Sequence, residues 1–108
     1  MVGERGRSCV ILTTCGSSDE AEELAGSLVN QRLAACVQIT SVTSFYRWED
    51  EVARDHEYLL LIKTPVTKYD DVEQFIKKNH GYDVPEIIRL PVEGGLQEYL
   101  HWLDDVTG

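Results

Sequence analysis

The amino-acid sequence predicts an α+β domain of element order β-α-β-β-α-β with one further helix after it, on three observations. Two stretches, residues 21–29 and 69–76, place their apolar side chains at helical spacing. Four runs of β-branched or continuous apolar residues flank them, one before the first helix, two between the helices and one after the second. Turn-forming residues at Gly16, Glu49-Asp50, Gly81 and Pro85 fall between the runs and not inside them.

Residues 8–15 read as a strand from their brevity and their Val, Ile and Thr content, and Gly16-Ser17-Ser18 both stops the strand and starts a helix. Ser17 and Glu20 have capping-box spacing. Ala21, Leu24, Ala25, Leu28 and Val29 then share one helix face, with Glu20, Glu22, Glu23 and Asn30 on the other. Ala35, Val37 and Ile39 alternate as a half-buried strand that continues through Val42 and Phe45 to Trp48, where Glu49-Asp50 turns the chain back. Residues 57–64 are the returning strand. Its run Leu59-Leu60-Leu61-Ile62 is unbroken, as expected where helices cover one face and a second copy of the chain covers the other. Pro65 and Thr67 open a second helix that turns Tyr69, Val72, Phe75 and Ile76 to the core. Lys77, Lys78 and His80 gather at the negative end of its dipole, and Gly81 is expected to end it as a C′ residue. Pro85 forces Val84 into an extended conformation, so residues 86–90 become the fourth strand, closed by Pro91. Gly94-Gly95 precedes a last helix with Leu96, Tyr99, Leu100 and Leu103 on one side. This is the ferredoxin-like arrangement, an antiparallel four-stranded sheet with helices on one face.

The 108 residues suffice for one domain, taken as residues 8–108 behind a disordered lead-in of residues 1–7. Nineteen acidic against ten basic side chains give a formal charge of -9, which repels a phosphate backbone and argues against a nucleic-acid partner. Cys9, Cys15 and Cys36 are odd in number and lack C-x-x-C spacing, so neither a disulfide framework nor a zinc knuckle is indicated and a reducing cytoplasm is expected. The apolar run after the charged N-terminal residues is too short for a signal peptide or a membrane span, so no membrane association is expected.

Residues with coordinating chemistry concentrate near the second helix. His80 stands beside Tyr82, Asp83 and Glu86, and imidazole with carboxylates is a usable ligand set for a divalent cation. Cys36, after two alanines, reads as a buried packing residue, whereas Cys9 and Cys15 share one face of the first strand. Phe45, Tyr46 and Trp48 lie on a hairpin that one small domain cannot bury and are expected at an interface or cleft between subunits. Glu57, Lys63 and Glu86 flank apolar runs, where salt bridges are expected. There is no G-x-S-x-G nucleophile motif, and Gly16-Ser17-Ser18-Asp19 is no phosphate loop. The chain therefore reads as a binding protein and not as an enzyme.

Five segments in order, Leu33-Ala34-Ala35-Cys36-Val37, Ser44-Phe45-Tyr46-Arg47-Trp48, Leu60-Leu61-Ile62-Lys63-Thr64, the twelve residues from His80 to Pro91, and Tyr99-Leu100-His101-Trp102-Leu103, resemble the CutA family of divalent-cation tolerance proteins. The resemblance implies the same fold. It also implies a homotrimer joined through sheet edges lengthened by the hairpin of residues 45–52, with Phe45, Tyr46, Trp48, Glu57, Lys63 and Tyr82 at the cleft or interface between subunits. The family's copper-binding reading pairs the histidine of the turn, here His80, with a first-strand cysteine. Thr13 stands at that position in this chain, with Cys15 two residues further on the same face, and Gly81 and Asp83 replace the proline and glutamate usual in the turn. A ligand set of His80, Asp83, Glu86 and Cys15 for copper or another divalent cation follows as the expectation. The alternative from a different class is a small-molecule sensor or protein-interaction trimer like the PII signalling proteins. An acylphosphatase on a similar fold would need an arginine in the first loop, which has none.

Overall fold

The computed structural model describes residues 7–108, so all but the last residue of the expected lead-in lie outside the described residues. Arg7 already belongs to the fold, since its carbonyl accepts a hydrogen bond from the Val66 N–H at 2.9 Å. The order is β1 (Ser8–Cys15), α1 (Ser18–Asn30), β2 (Cys36–Trp48), β3 (Glu51–Pro65), a 3-10 turn (Val66–Lys68), α2 (Tyr69–Asn79), β4 (Ile88–Pro91) and α3 (Gln97–Thr107). The strands form one antiparallel sheet in the order β2-β3-β1-β4, the ferredoxin-like topology.

Alternation along the central strands builds the core. Cys9, Ile11 and Cys15 of β1 and Leu60 and Ile62 of β3 are buried in one cluster with Ala21, Leu24 and Leu28 of α1 and Val72 and Ile76 of α2. The residues between them, Val10, Leu12, Leu59 and Leu61, point to the opposite face and are only half-buried in one chain, while Ile88 and Leu90 of β4 are exposed. The unbroken Leu59-to-Ile62 run thus divides between a face closed by helices and a face that α3 covers at one end only. There the Lys63 ammonium stands 5.8 Å from the Tyr99 ring centroid.

β2 and β3 pair continuously from Cys36↔Lys63 to Trp48↔Glu51, so the returning strand begins at Glu51, six residues before the expected start. Glu49 and Asp50 both take left-handed backbone conformations, φ 51° and 67°, as a two-residue hairpin turn of matching twist requires. Residues 51–56 are mostly exposed and show no apolar alternation to reveal them as strand. The hairpin stretches the molecule to 48 × 25 × 22 Å.

Three local expectations change. The fourth strand covers Ile88–Pro91 and not residues 86–90, because β4 pairs only with Cys9–Leu12 of β1; Glu86 stays in the connecting segment, and Pro91 lies within the strand at the sheet edge, where a missing N–H is tolerated. Helix α2 ends at an extended His80 C-cap, and Gly81 shows no left-handed backbone; a Cβ on Gly81 would instead stand 2.9 Å from Glu20 Oε2, so its smallness admits that carboxylate. The capping box is half formed. Ser17 Oγ accepts the Glu20 N–H at 3.1 Å, but the Glu20 side chain accepts from Gly16 N at 3.4 Å and, across the molecule, from Gly81 N at 2.8 Å. The far end of α1 closes with a Schellman pair, Leu33 N to Leu28 O and Arg32 N to Val29 O, and holds Arg32 at φ 61° where glycine is usual.

Candidate functional site

The end of β1, the start of α1 and the turn after α2 converge on a thiol, a carboxylate and an imidazole. Ligand atoms of Cys15, Glu20 and His80 all lie within 4.8 Å of one another, the one group of three or more such side chains among the described residues. The His80 side chain is fully buried, 3.9 Å through Nε2 from Cys15 Sγ, with Nδ1 4.0 Å from Glu20 Oε2. The backbone assigns its tautomer. Nδ1 accepts the Tyr82 N–H at 3.0 Å, and Nε2 faces the Thr14 carbonyl at 2.7 Å, so Nε2 carries the proton and the ring is neutral. Burial pushes the Cys15 thiol up to about 11, helped by the negative charges of Glu20 and Glu57, so it is a thiol and not a thiolate at neutral pH.

Sulfur, imidazole nitrogen and carboxylate oxygen fit copper or zinc in kind. The 3.9 Å from sulfur to nitrogen also fits two ligands of one ion, for bonds of roughly 2.3 and 2.0 Å. Both ring nitrogens are nevertheless satisfied by the protein itself, so loading the site displaces protons from Cys15 and from Nε2.

On the other side of Tyr82 lies an open cleft of about 850 Å³, within the range of roughly 300–1,000 Å³ of small-molecule sites. Phe45, Tyr46, Trp48 and Tyr82 supply aromatic walls, and Asp55, Glu57, Asp83 and Glu86 supply four carboxylates. Tyr46 Oη donates to Asp55, the main reason its own pKa is raised. Tyr82 Oη donates to Glu57 Oε2 at 2.9 Å; burial first and then that bond push the Tyr82 phenol up to about 12, which keeps it a donor. Gly16 permits the approach, since a Cβ there would stand 3.2 Å from Tyr82 Oη.

Of the expected ligand set, the structure brings Cys15 and His80 together, adds Glu20, and places Asp83 and Glu86 in the cleft. Phe45, Tyr46, Trp48, Glu57 and Tyr82 meet around that cleft in a single chain, whereas Lys63 lies apart under Tyr99. The expected salt bridges of Glu57, Lys63 and Glu86 are absent among the described residues; Glu57 takes the Tyr82 hydroxyl in place of a cation. Cys36, expected to be buried, is half-buried, because its register opposite Lys63 turns it away from the helices, while Cys9 and Cys15 face them. Glu20 was hidden behind its helix-capping role, and Asp55 behind a strand with no apolar signature; neither has a local sequence signal for its partner.

Known proteins share this fold. The structure of the periplasmic divalent cation tolerance protein CutA from Archaeoglobus fulgidus superposes with a TM-score of 0.92 at 36% identity, covering 94% of this chain and 99% of that one. That of CutA1 from Oryza sativa gives 0.92 at 43% identity, covering 94% of each chain. In sequence, the divalent-cation tolerance protein CutA of Thermus thermophilus is 46% identical over 100 residues, 92% of this chain and 97% of that protein. The chloroplastic CutA 1 of Oryza sativa is 44% identical over 101 residues, 93% of this chain but 57% of that longer protein, so the chain spans little more than half of it. The family model described as CutA1 divalent ion tolerance protein matches residues 9–106, and with the fold and this sequence identity it follows that the chain belongs to that family.

Proposed function

We propose that the protein acts in divalent-cation tolerance as a cytoplasmic homotrimer that binds copper or a similar divalent cation and catalyses no reaction. The observation that carries this reading is the convergence of Cys15, Glu20 and His80 within 4.8 Å. A cation held by the His80 ring must displace one of the ring's present partners, the Tyr82 N–H at Nδ1 or the Thr14 carbonyl at Nε2, and Glu20 Oε2 stands 4.0 Å from Nδ1. Three free cysteines agree with a reducing compartment, although relatives are named chloroplastic and periplasmic. Among the described residues no helix is long and apolar enough to cross a membrane. The trimer is supported by the half-open sheet face and by the hairpin, whose Phe45 and Trp48 are 66% and 64% exposed in one chain.

Equilibrium dialysis with copper at several pH values tests the site. Binding must release the Cys15 proton, so with a thiol titrating near 11 the affinity rises about tenfold per pH unit between pH 6 and 8 for each proton released. His80→Ala abolishes the site. An affinity indifferent to pH or to that substitution contradicts the reading. A second reading, a small-molecule sensor comparable to PII proteins, is favoured by the aromatic cleft; its four carboxylates weigh against ATP, and dialysis with ATP in parallel is expected to show no binding.

A further inference from the structure

The His80 ring joins two segments of the chain and has a single lone pair with which to do so. Nε2 faces the Thr14 carbonyl at 2.7 Å and carries the proton, which leaves Nδ1 to accept the Tyr82 N–H at 3.0 Å. The side chain is fully buried, so bulk water does not replace a partner that is lost. Tyr82 belongs to the turn that follows α2, and that turn is lightly held. Among the described residues, residues 81–86 make three hydrogen bonds: from Gly81 N–H to Glu20 Oε2 at 2.8 Å, from Tyr82 N–H to His80 Nδ1, and from Tyr82 Oη to Glu57 Oε2 at 2.9 Å. The turn pairs with no strand, and residues 81–84 are exposed in one chain, so these bonds are its anchors.

Two of the three anchors end on the residues that would hold a cation. A neutral imidazole that ligates an ion gives up its lone pair. Were Nδ1 the ligand, the lone pair that accepts the Tyr82 N–H would be spent. Were Nε2 the ligand, as its 3.9 Å from Cys15 Sγ favours, the ring proton would stand on Nδ1 and two N–H donors would face each other. Both routes break the same bond. The second anchor shares this exposure, because the Glu20 Oε2 that accepts the Gly81 N–H also stands 4.0 Å from Nδ1, within the group of three ligand side chains. The bond from the Tyr82 hydroxyl to Glu57 alone lies outside that group.

We infer that the turn of residues 81–86 is a cation-responsive switch, released when the site of Cys15, Glu20 and His80 fills; this rests on the copper reading of that site. A ligating His80 and a Tyr82 amide bonded to Nδ1 exclude each other, so occupancy changes the backbone of the turn and, through Tyr82, its hold on Glu57. The coupling is reciprocal. Part of the binding free energy is used to break the anchor, and whatever loosens the turn beforehand strengthens cation binding.

Hydrogen exchange of the full-length protein, read at single amides by mass spectrometry with and without saturating copper sulfate, tests it, with equilibrium dialysis of the same samples to establish uptake. The Tyr82 amide should exchange about three- to tenfold faster with copper held, as the loss of one hydrogen bond requires, while the amides of Ile11 and Leu12 in β1 stay unchanged. Magnesium chloride, a hard cation with little affinity for imidazole, should alter neither. Tyr82→Phe removes the anchor to Glu57 and should raise copper affinity about two- to fivefold, whereas loss of a purely structural contact would lower it or leave it alone. Copper uptake with unchanged or slower Tyr82 exchange overturns the switch and leaves the site standing; absence of uptake overturns both. A copper affinity of Tyr82→Phe equal to or below that of the unaltered chain overturns the switch as well.

Discussion

Cys15 shows how a single buried side chain ties stability to pH. Its thiol is held as the neutral form, up to about 11 against 9.0 for an ordinary cysteine, with burial the main cause. The folded state therefore binds that proton more tightly than the unfolded chain does. Its contribution is fully present below pH 9 and is lost as pH rises towards 11, in total about 2–3 kcal/mol at 1.36 kcal/mol per unit. Thermal midpoints measured from pH 8 to 11 should fall, and the fall should be shallower in Cys15→Ala. Tyr82, pushed up to about 12, adds a decline of the same sign at higher pH. Thr13, one turn of the pleat away, is fully buried and its hydroxyl has no partner among the described residues. It occupies the position that the family resemblance gives to a cysteine. Thr13→Val replaces the hydroxyl by a methyl of similar shape and is expected to raise the thermal midpoint, by the equivalent of about 1 kcal/mol. A lower midpoint would show that the hydroxyl is satisfied in solution.

Between elements, Glu20 is the side chain that joins what the chain separates. It lies in the first turn of α1 and accepts the Gly81 N–H, 61 residues away, in the turn that also carries His80 and Tyr82. Glu20→Ala should cost about 1–3 kcal/mol, for the lost charge-assisted bond to a backbone donor, and should speed hydrogen exchange at Gly81 while leaving the exchange of β1 amides unchanged. An unaltered Gly81 exchange rate would deny the link. This contact also marks the limit of what the sequence discloses. The helices, their buried faces and the order of strands follow from periodicity and punctuation, signals confined to a few neighbouring residues. Ser17 as the N-cap is of that kind and is observed. Residues 51–56 escaped because a strand that one chain leaves in water has no apolar alternation, and Glu20 escaped because its partner is set by the tertiary fold. Gly81 was readable as special, but the cause, a carboxylate at its Cα and not a left-handed backbone, is a packing fact. Likewise the sequence placed His80, Asp83 and Glu86 side by side, while the fold sends His80 inwards to Cys15 and the two carboxylates outwards to the cleft.

For the whole molecule, the exposed apolar surface of the hairpin and the half-covered sheet face are the features that one chain leaves unresolved. Phe45, Trp48 and Val52 on the hairpin and Ile88 and Leu90 on the edge strand are all more than two-fifths exposed, a pattern that resists aggregation only when another surface covers it. Trp48→Ala should weaken self-association by about 2 kcal/mol, as expected of an interface aromatic, with sedimentation equilibrium as the check. The charge of -9 sets a second requirement, since copies of such a chain repel one another and cations relieve the repulsion; self-association should therefore strengthen with ionic strength. Native mass spectrometry of the full-length protein during a copper titration at pH 8 tests most directly for a trimer that holds a cation at Cys15, Glu20 and His80. A trimer that takes up one copper per chain, and a His80→Ala trimer that takes up none, are the expected results; a monomer at micromolar concentration, or copper uptake unchanged by His80→Ala, would contradict the assembly and the site respectively.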